Sequence, residues 1–237
     1  MSLDRLSSNL SLANGITVLA PAGAEYKAVK KGMQRVVESC SNIVAVPAGE
    51  AIAHFVKSLS EENKLQPNVL LMGLGGGLAR SETVGRSHLL TKVWNAADSQ
   101  VSVCDESLTR LLYCHLEDVA LSEGITCKQI VTKVNDKSAL CDRYQAQIVD
   151  MESFFLLQSL TYLPQYKVAV LRVVSDACDY DLPDISQAIR PNGSLSTANL
   201  AISFAKKPIA AVRFVRSSLR GLNRLEKVAE RLAEKMR

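Results

Sequence analysis

The chain has 237 residues, of which 47% are apolar, 22% charged and 5% aromatic. That is the composition of a globular protein long enough to bury a large core, and it excludes a disordered or fibrous chain. The net charge of +4 is uneven: residues 206–237 hold ten Lys/Arg against three Glu, a net of +7, which leaves −3 for the first 205 residues.

The opening "MSLDRLSSNLSLANGITVLAPAGA" places a polar Ser/Asn segment before an apolar core of only "ITVLA". It reads as a first strand and not a signal peptide. A helix is predicted over 24–39, with Ala24, Ala28, Val29, Met33, Val36 and Val37 on its apolar positions. "NIVAVP" (42–47) is a strand ahead of the helical "GEAIAHFVKSL", and "NVLLMGLGGGL" (68–78) is an apolar run ending in glycines. "HLLTKVW" (88–94) and "SQVSVC" (99–104) are strand candidates. Residues 105–124 read as one helix, begun by Asp105 and ended by Gly124, followed by a strand over 125–134 and a short helix over 135–144. "AQIV", a helix opening at Asp150 and the strand "KVAVLRVVS" (167–175) come next. The irregular stretch 177–195 follows a central strand end, where ligands of open α/β sheets bind, so it is read as either a substrate lid or a surface connection. The tail, with Phe214, Leu219, Leu222, Leu225, Val228, Leu232 and Met236 at three- or four-residue steps, is a basic amphipathic helix.

Continuous apolar strands alternating with helices imply an α/β fold whose largely parallel sheet is covered on both faces. One domain is expected over 1–205, with 206–237 as a separate C-terminal helix. No apolar run approaches the ~18 residues of a membrane span. Six cysteines without a C-x-x-C pair and three scattered histidines give no metal-ligand spacing, so no metal or cofactor is expected. A reduced, cytoplasmic protein is the corresponding expectation.

The glycine run does not fit a dinucleotide fingerprint, because the third glycine position is Leu78 and no acid follows in a strand. Gly73 and Gly75 are read instead as places where a ligand or strand comes close to the backbone. Asp150 is explained as a helix N-cap, and Glu152 suits the first turn of the same helix. Asp176 ends the most apolar strand, where desolvation should keep its carboxyl neutral and able to donate a proton. Arg172, four residues earlier, should share a face with Asp176 and needs a carboxylate partner. Glu25, just beyond the first strand, is the candidate. Glu25, the Gly73–Gly77 turn, Glu152 and Asp176 are expected to border one pocket.

"VDMES" (149–153) together with "RVVSDACD" (172–179) resembles the nucleoside phosphorylase and nucleosidase superfamily, especially the methylthioadenosine/S-adenosylhomocysteine nucleosidases. "ITVLAPAGAEYKAV" is similar to that family's opening strand and acidic loop, and "MGLGGGL" to its glycine turn. Val149–Ser153, Leu171–Pro183, Arg190–Gly193 and the basic tail more closely resemble the hopanoid-associated phosphorylase-like proteins, a group thought to remove adenine from adenosylhopane. The resemblance implies a phosphorylase/hydrolase-like three-layer sandwich around a mixed, largely parallel sheet. It also implies a homo-oligomer and a small nucleoside substrate.

For the residues, the resemblance implies that Asp176 protonates the purine, Ser175 orients it, Glu152 holds the ribose hydroxyls and Met151 packs on the sugar. Glu25 would activate water, with Arg172 tuning its charge. Two features depart from the family pattern: Leu74 stands where a small hydroxyl residue is common, and no aromatic for stacking the base is found near "IVTKVND". Leu74 favours hydrolysis over phosphorolysis, since phosphate needs donors, and only Arg80, Arg86 and Arg110 remain as unplaced candidates. A purine nucleosidase is therefore the first reading, a phosphorylase the second and a non-catalytic nucleoside-binding module the third. The tail is read as a helix packed on the body or on a partner subunit, or as a peripheral contact with the inner membrane surface. Nucleic-acid binding is not supported, for lack of interleaved aromatics or a fold motif.

Overall fold

The structure is a computed structural model and describes residues 15–36, 42–183, 204 and 207–236. The opening segment before Gly15, the Arg190–Gly193 piece and most of the 177–195 stretch lie outside the described residues.

Eight strands form one mixed sheet. Strands β1 (Ile16–Pro21), β2 (Ile43–Val46) and β3 (Asn68–Gly77) are parallel neighbours. β4 (Ser87–Asn95) pairs antiparallel with β5 (Val101–Val103) and parallel with β6 (Val119–Thr126). β7 (Ile148–Asp150) joins β6 to β3, and β8 (Lys167–Asp176) joins β3 to β4. Strands β3, β7, β6, β4 and β8 thereby close a five-membered ring of pairings, with β1 and β2 extending the sheet from β3.

Helices cover both faces, which is why the central strands read as unbroken apolar runs. In β8, Ala169, Leu171 and Val173 face a core shared with α1 (Ala24–Gln34), α3 (Glu106–His115) and α6 (Pro208–Met236). Val168, Val170 and Val174 face the core built on α2 (Ala51–Glu61) and α5 (Ser153–Leu160). A smaller cluster, Leu78, Ile125, Tyr144, Ala146 and Val149, seats α4 (Val134–Tyr144) beside β7. The α/β three-layer sandwich with a mixed sheet expected from the sequence is the observed fold.

Two local readings are corrected. The helix expected over 105–124 ends at His115, and 119–126 is strand β6. Asp105 does cap α3, accepting from Leu108 N at 2.8 Å. Gly124 is a strand residue, not a helix stop: a Cβ there would lie 2.7 Å from Leu90 Cδ1, across the pairing with β4. The strand expected over 125–134 stops at Thr126 because β7 ends beside it, with Thr126 paired to Asp150. Residues 127–133 form a loop.

The C-terminal half of α6 is docked on the body. Leu225, Val228, Ala229, Leu232 and Ala233 are buried, and Gly32 of α1 lies against the Glu226 carbonyl with no room for a Cβ. Arg35 pairs with Glu226 and with Glu230 (2.9 Å), and Lys31 with Glu226 (3.1 Å). The outer turns differ: Ile209 and Leu219 are 73% and 59% exposed, and Val212 and Val215 are exposed to a lesser degree, at 51% and 40%. Among the described residues no helix is long and apolar enough to cross a membrane.

Candidate active site

The strand ends expected to converge do so. Glu25 is the second residue of α1, directly after β1; Leu74–Gly76 end β3; Asp150 ends β7; Ser175 and Asp176 end β8. A cleft of about 190 Å³ is lined by Glu25, Leu74, Gly75, Gly76, Val149, Asp150, Met151, Glu152, Ser175 and Asp176, with Gln129, Ile130 and Val131 closing one wall. Of the residues singled out in the sequence, Gly73 and Arg172 stand behind this lining.

Arg172 is fully buried on the α2/α5 face of β8, at a position where an aliphatic side chain would continue the pattern. Its partner is not Glu25, as the sequence suggests, but Asp150 and Glu152. Nε donates to Asp150 Oδ2 at 2.8 Å, and Nη2 donates to Glu152 Oε2 at 3.1 Å and to Ser153 Oγ at 3.2 Å. Asp150 also accepts from Thr126 Oγ1 (2.6 Å) and more weakly from Ser153 N (3.3 Å). Asp150 is therefore not the helix N-cap the sequence suggests: it ends β7, Glu152 holds the cap position of α5, and the Arg172 ion pair is what Asp150 answers. Burial opposes the charge of Arg172, but Asp150, Glu152 and Glu25 outweigh it and hold the guanidinium above its ordinary range. Arg172 Nη1 has no hydrogen-bond partner among the described residues, and lies with Glu25 Oε1 against Gly73. A Cβ at Gly73 would collide with Nη1 and sit 2.8 Å from Glu25 Oε1, so the close approach expected of this glycine is to two charged side chains.

Glu25 Oε1 accepts from Leu74 N at 2.6 Å. Desolvation, then the charge of Glu152, push the Glu25 carboxyl up to about 7, while the Leu74 amide and Arg172 pull it back only in part. Glu152 is also raised, chiefly by burial and against the pull of Arg172; its Oε1 accepts from Gly49 N at 2.9 Å.

Asp176 departs most from expectation. It is not a lone carboxyl: Oδ2 contacts Nζ of Lys137, a fully buried lysine of α4, and Oδ1 accepts from Ser175 Oγ at 2.7 Å. Nor does it share a simple face with Arg172. The pairing with β3 slips after Gly75↔Val174 to Gly76↔Asp176, so Ser175 is an extra residue that interrupts the alternation. Gly76 makes room for the pair, since a Cβ there would lie 3.1 Å from Asp176 Oδ2 and 3.6 Å from Lys137 Nζ.

Among the described residues no aromatic lines the cleft; Ile130 and Val131 supply its apolar wall. Arg80 and Arg86 are exposed, and Arg110 pairs with Glu106 on α3 at 2.9 Å. None of the three reaches the cleft.

No family model and no curated protein matches the chain by sequence. The fold is similar to those of several solved nucleosidase and hydrolase structures. Campylobacter jejuni 5′-methylthioadenosine/S-adenosylhomocysteine nucleosidase aligns with a TM-score of 0.62 at 12% identity, covering 91% of this chain and 98% of its own. Futalosine hydrolase of Helicobacter pylori aligns at 0.60 and 14%, covering 86% and 96%. The Streptococcus pneumoniae MTA/SAH nucleosidase, in complex with 8-aminoadenine, aligns at 0.59 and 17%, covering 90% and 99%. At these identities the likeness shows the fold.

Proposed function

We propose that the chain is a purine nucleosidase that hydrolyses the N-glycosidic bond of a 5′-modified adenosine and releases adenine. The observation that carries this reading is that Asp176, Glu152 and Glu25 line one compact cleft, with Glu25 titrating near neutrality. Cleavage develops positive charge on the ribosyl ring and negative charge on the purine. An acid-lined cleft favours the first, and a proton delivered to the base neutralises the second. Asp176, oriented by Ser175, delivers that proton at N7. Glu152, steadied by Arg172 and Gly49, accepts hydrogen bonds from the ribose 2′- and 3′-hydroxyls. Met151 packs on the sugar, and Ile130 and Val131 on the base. Glu25, its charge tuned by Arg172, holds the attacking water and takes its proton.

Water is favoured over phosphate by charge. The ionisable groups lining the cleft are Glu25, Asp150, Glu152 and Asp176, and the two cations behind them, Arg172 and Lys137, are already paired. A phosphate dianion would enter a cleft lined by four acidic side chains, with no cation on the wall to meet it.

The test is adenine release from methylthioadenosine, S-adenosylhomocysteine and adenosylhopane, with and without phosphate. Release independent of phosphate is expected. Because Glu25 must be ionised to accept a proton, kcat/KM should rise with pH through about 7 and level off above it. Glu25→Gln should lose that limb and slow turnover by ~10²–10⁴-fold. Strict phosphate dependence would make the protein a phosphorylase, and tight adenine binding without turnover a binding module.

For the 5′ group we infer an apolar, bilayer-resident one, as in adenosylhopane, from the outer turns of α6. There Ile209, Val212, Val215 and Leu219 are exposed, with Arg213, Arg216 and Arg220 interleaved. This pattern suits an anionic lipid surface, where each Lys/Arg contributes ~1 kcal/mol. The full-length protein should float with anionic vesicles and not with zwitterionic ones. The combined Ile209→Ser, Val212→Ser, Leu219→Ser variant should stay behind; equal recovery of both proteins would discard the membrane contact.

A further inference from the structure

Lys137 has no place in the mechanism above and none in the sequence motifs, yet it is among the largest fully buried side chains of the molecule. It sits in the first turn of α4, and its stem is enclosed while Nζ reaches Asp176 Oδ2 and lies 3.4 Å from the Ala177 carbonyl. Lys137 does not line the cleft; Asp176 stands between it and the space. Burying an ammonium is costly, and exchanging a buried ion pair for apolar groups of similar volume is often neutral or stabilising. The fold alone does not call for charge here, since Asp176 and Lys137 could both be exchanged for apolar groups. What the ammonium does supply is a proton, held on the side of the Asp176 carboxylate away from the cleft, with Ser175 Oγ fixing the other oxygen.

We propose that Lys137 is a positioning residue that loads Asp176 with the proton passed to the leaving purine. The inference rests on the nucleosidase reading. As the bond between C1′ and N9 breaks, its electron pair moves into the purine and N7 becomes basic. Asp176 gives N7 a proton while Lys137 Nζ passes one to Asp176, leaving a neutral amine beside a carboxylate. Water adds to C1′, and its released proton goes to Glu25. After the products leave, solvent returns a proton to Lys137 and removes one from Glu25, so the enzyme is restored and one water is consumed. Gly76 fits the same arrangement, because a Cβ there would crowd Asp176 Oδ2 at 3.1 Å.

The experiment compares the full chain with Lys137→Met over ribosides of purines whose anions are progressively better leaving groups. A proton supply matters most for the poorest leaving group. The variant should lose ~10²-fold or more in kcat on adenine nucleosides and less than ~3-fold on the most acidic purine, with KM little changed. Lys137→Arg, which keeps a charge but holds its proton more tightly, should recover binding order without full turnover. A deficit equal for all leaving groups would make Lys137 a structural residue and overturn the proposal, as would a Lys137→Met enzyme as fast as the parent on adenine nucleosides. Should Lys137→Met fail to fold, Lys137→Gln is read by the same comparison. These outcomes are separable from failure of the nucleosidase reading, which would show as a parent enzyme that releases no purine from any substrate and would remove both.

Discussion

Asp176→Asn should lower adenine release by ~10²–10⁴-fold, with substrate affinity much less affected. The amide preserves the shape of the carboxyl and can still accept from Ser175 Oγ, so the pocket wall is kept while the transferable proton is lost. The change also strands the Lys137 ammonium in the interior, and removing one partner of a buried pair costs ~3–5 kcal/mol. The double variant Asp176→Asn/Lys137→Met removes that orphaned charge. It should melt closer to the parent than Asp176→Asn alone and be no more active. A double variant that regains turnover would show that the single change acts through misfolding, and Asp176 would lose its assigned role.

Arg172→Met should destabilise the fold by ~3–5 kcal/mol in urea unfolding. The guanidinium is fully buried and answers Asp150 and Glu152 directly and Glu25 through its charge. Without it, three carboxylates crowd one desolvated site. Arg172 holds Glu25 down against burial, so in the variant the Glu25 carboxyl should climb above about 7 and the rising limb of the rate profile should move to higher pH. Adding Asp150→Asn should return part of the lost stability, since it removes one of the acids left without a counter-charge. No recovery in the double variant would mean that the Arg172 packing contacts, not its charge, carry the effect.

Much of the site could be read from the sequence because its acids lie at strand ends, and strand ends of a parallel sheet share an edge. That rule serves Glu25 and Asp176, which follow or end the parallel strands β1 and β8, but not Glu152, which follows β7, a strand antiparallel to β3. The partner of Arg172 did not follow, because spacing along a chain does not say which strand end lies beside which. Asp150 looked complete as a helix cap, which hid its ion pair. The relation of Asp176 to Arg172 failed for a local reason: one extra residue, Ser175, shifts the register, and alternation is a count that a single insertion upsets. Lys137 was invisible for another. In "NDKSALCDRY" a lysine between Asp136 and Ser138 looks like a solvated helix face, and its partner lies 39 residues further along the chain. The helix wrongly extended to Gly124 shares a cause with the strand wrongly extended past Thr126. Leu116, Val119 and Ile125 suit either period, and tertiary pairing with β4 and β7 decided between them.

The C-terminal helix is more than an appendage. Gly221 packs on the cleft's own walls: a methyl group there would press within 3.2 Å of Leu74 Cδ2 and of the Ser175 Cα. The same helix is bolted through Glu226 and Glu230 to α1, whose first turn carries Glu25. The helix bearing Glu25, the glycine turn and the strand that ends in Asp176 thus lean on a single rod. Cutting the chain ahead of that rod would unroof the chemistry along with any anchor, so only surface point changes can tell attachment from turnover.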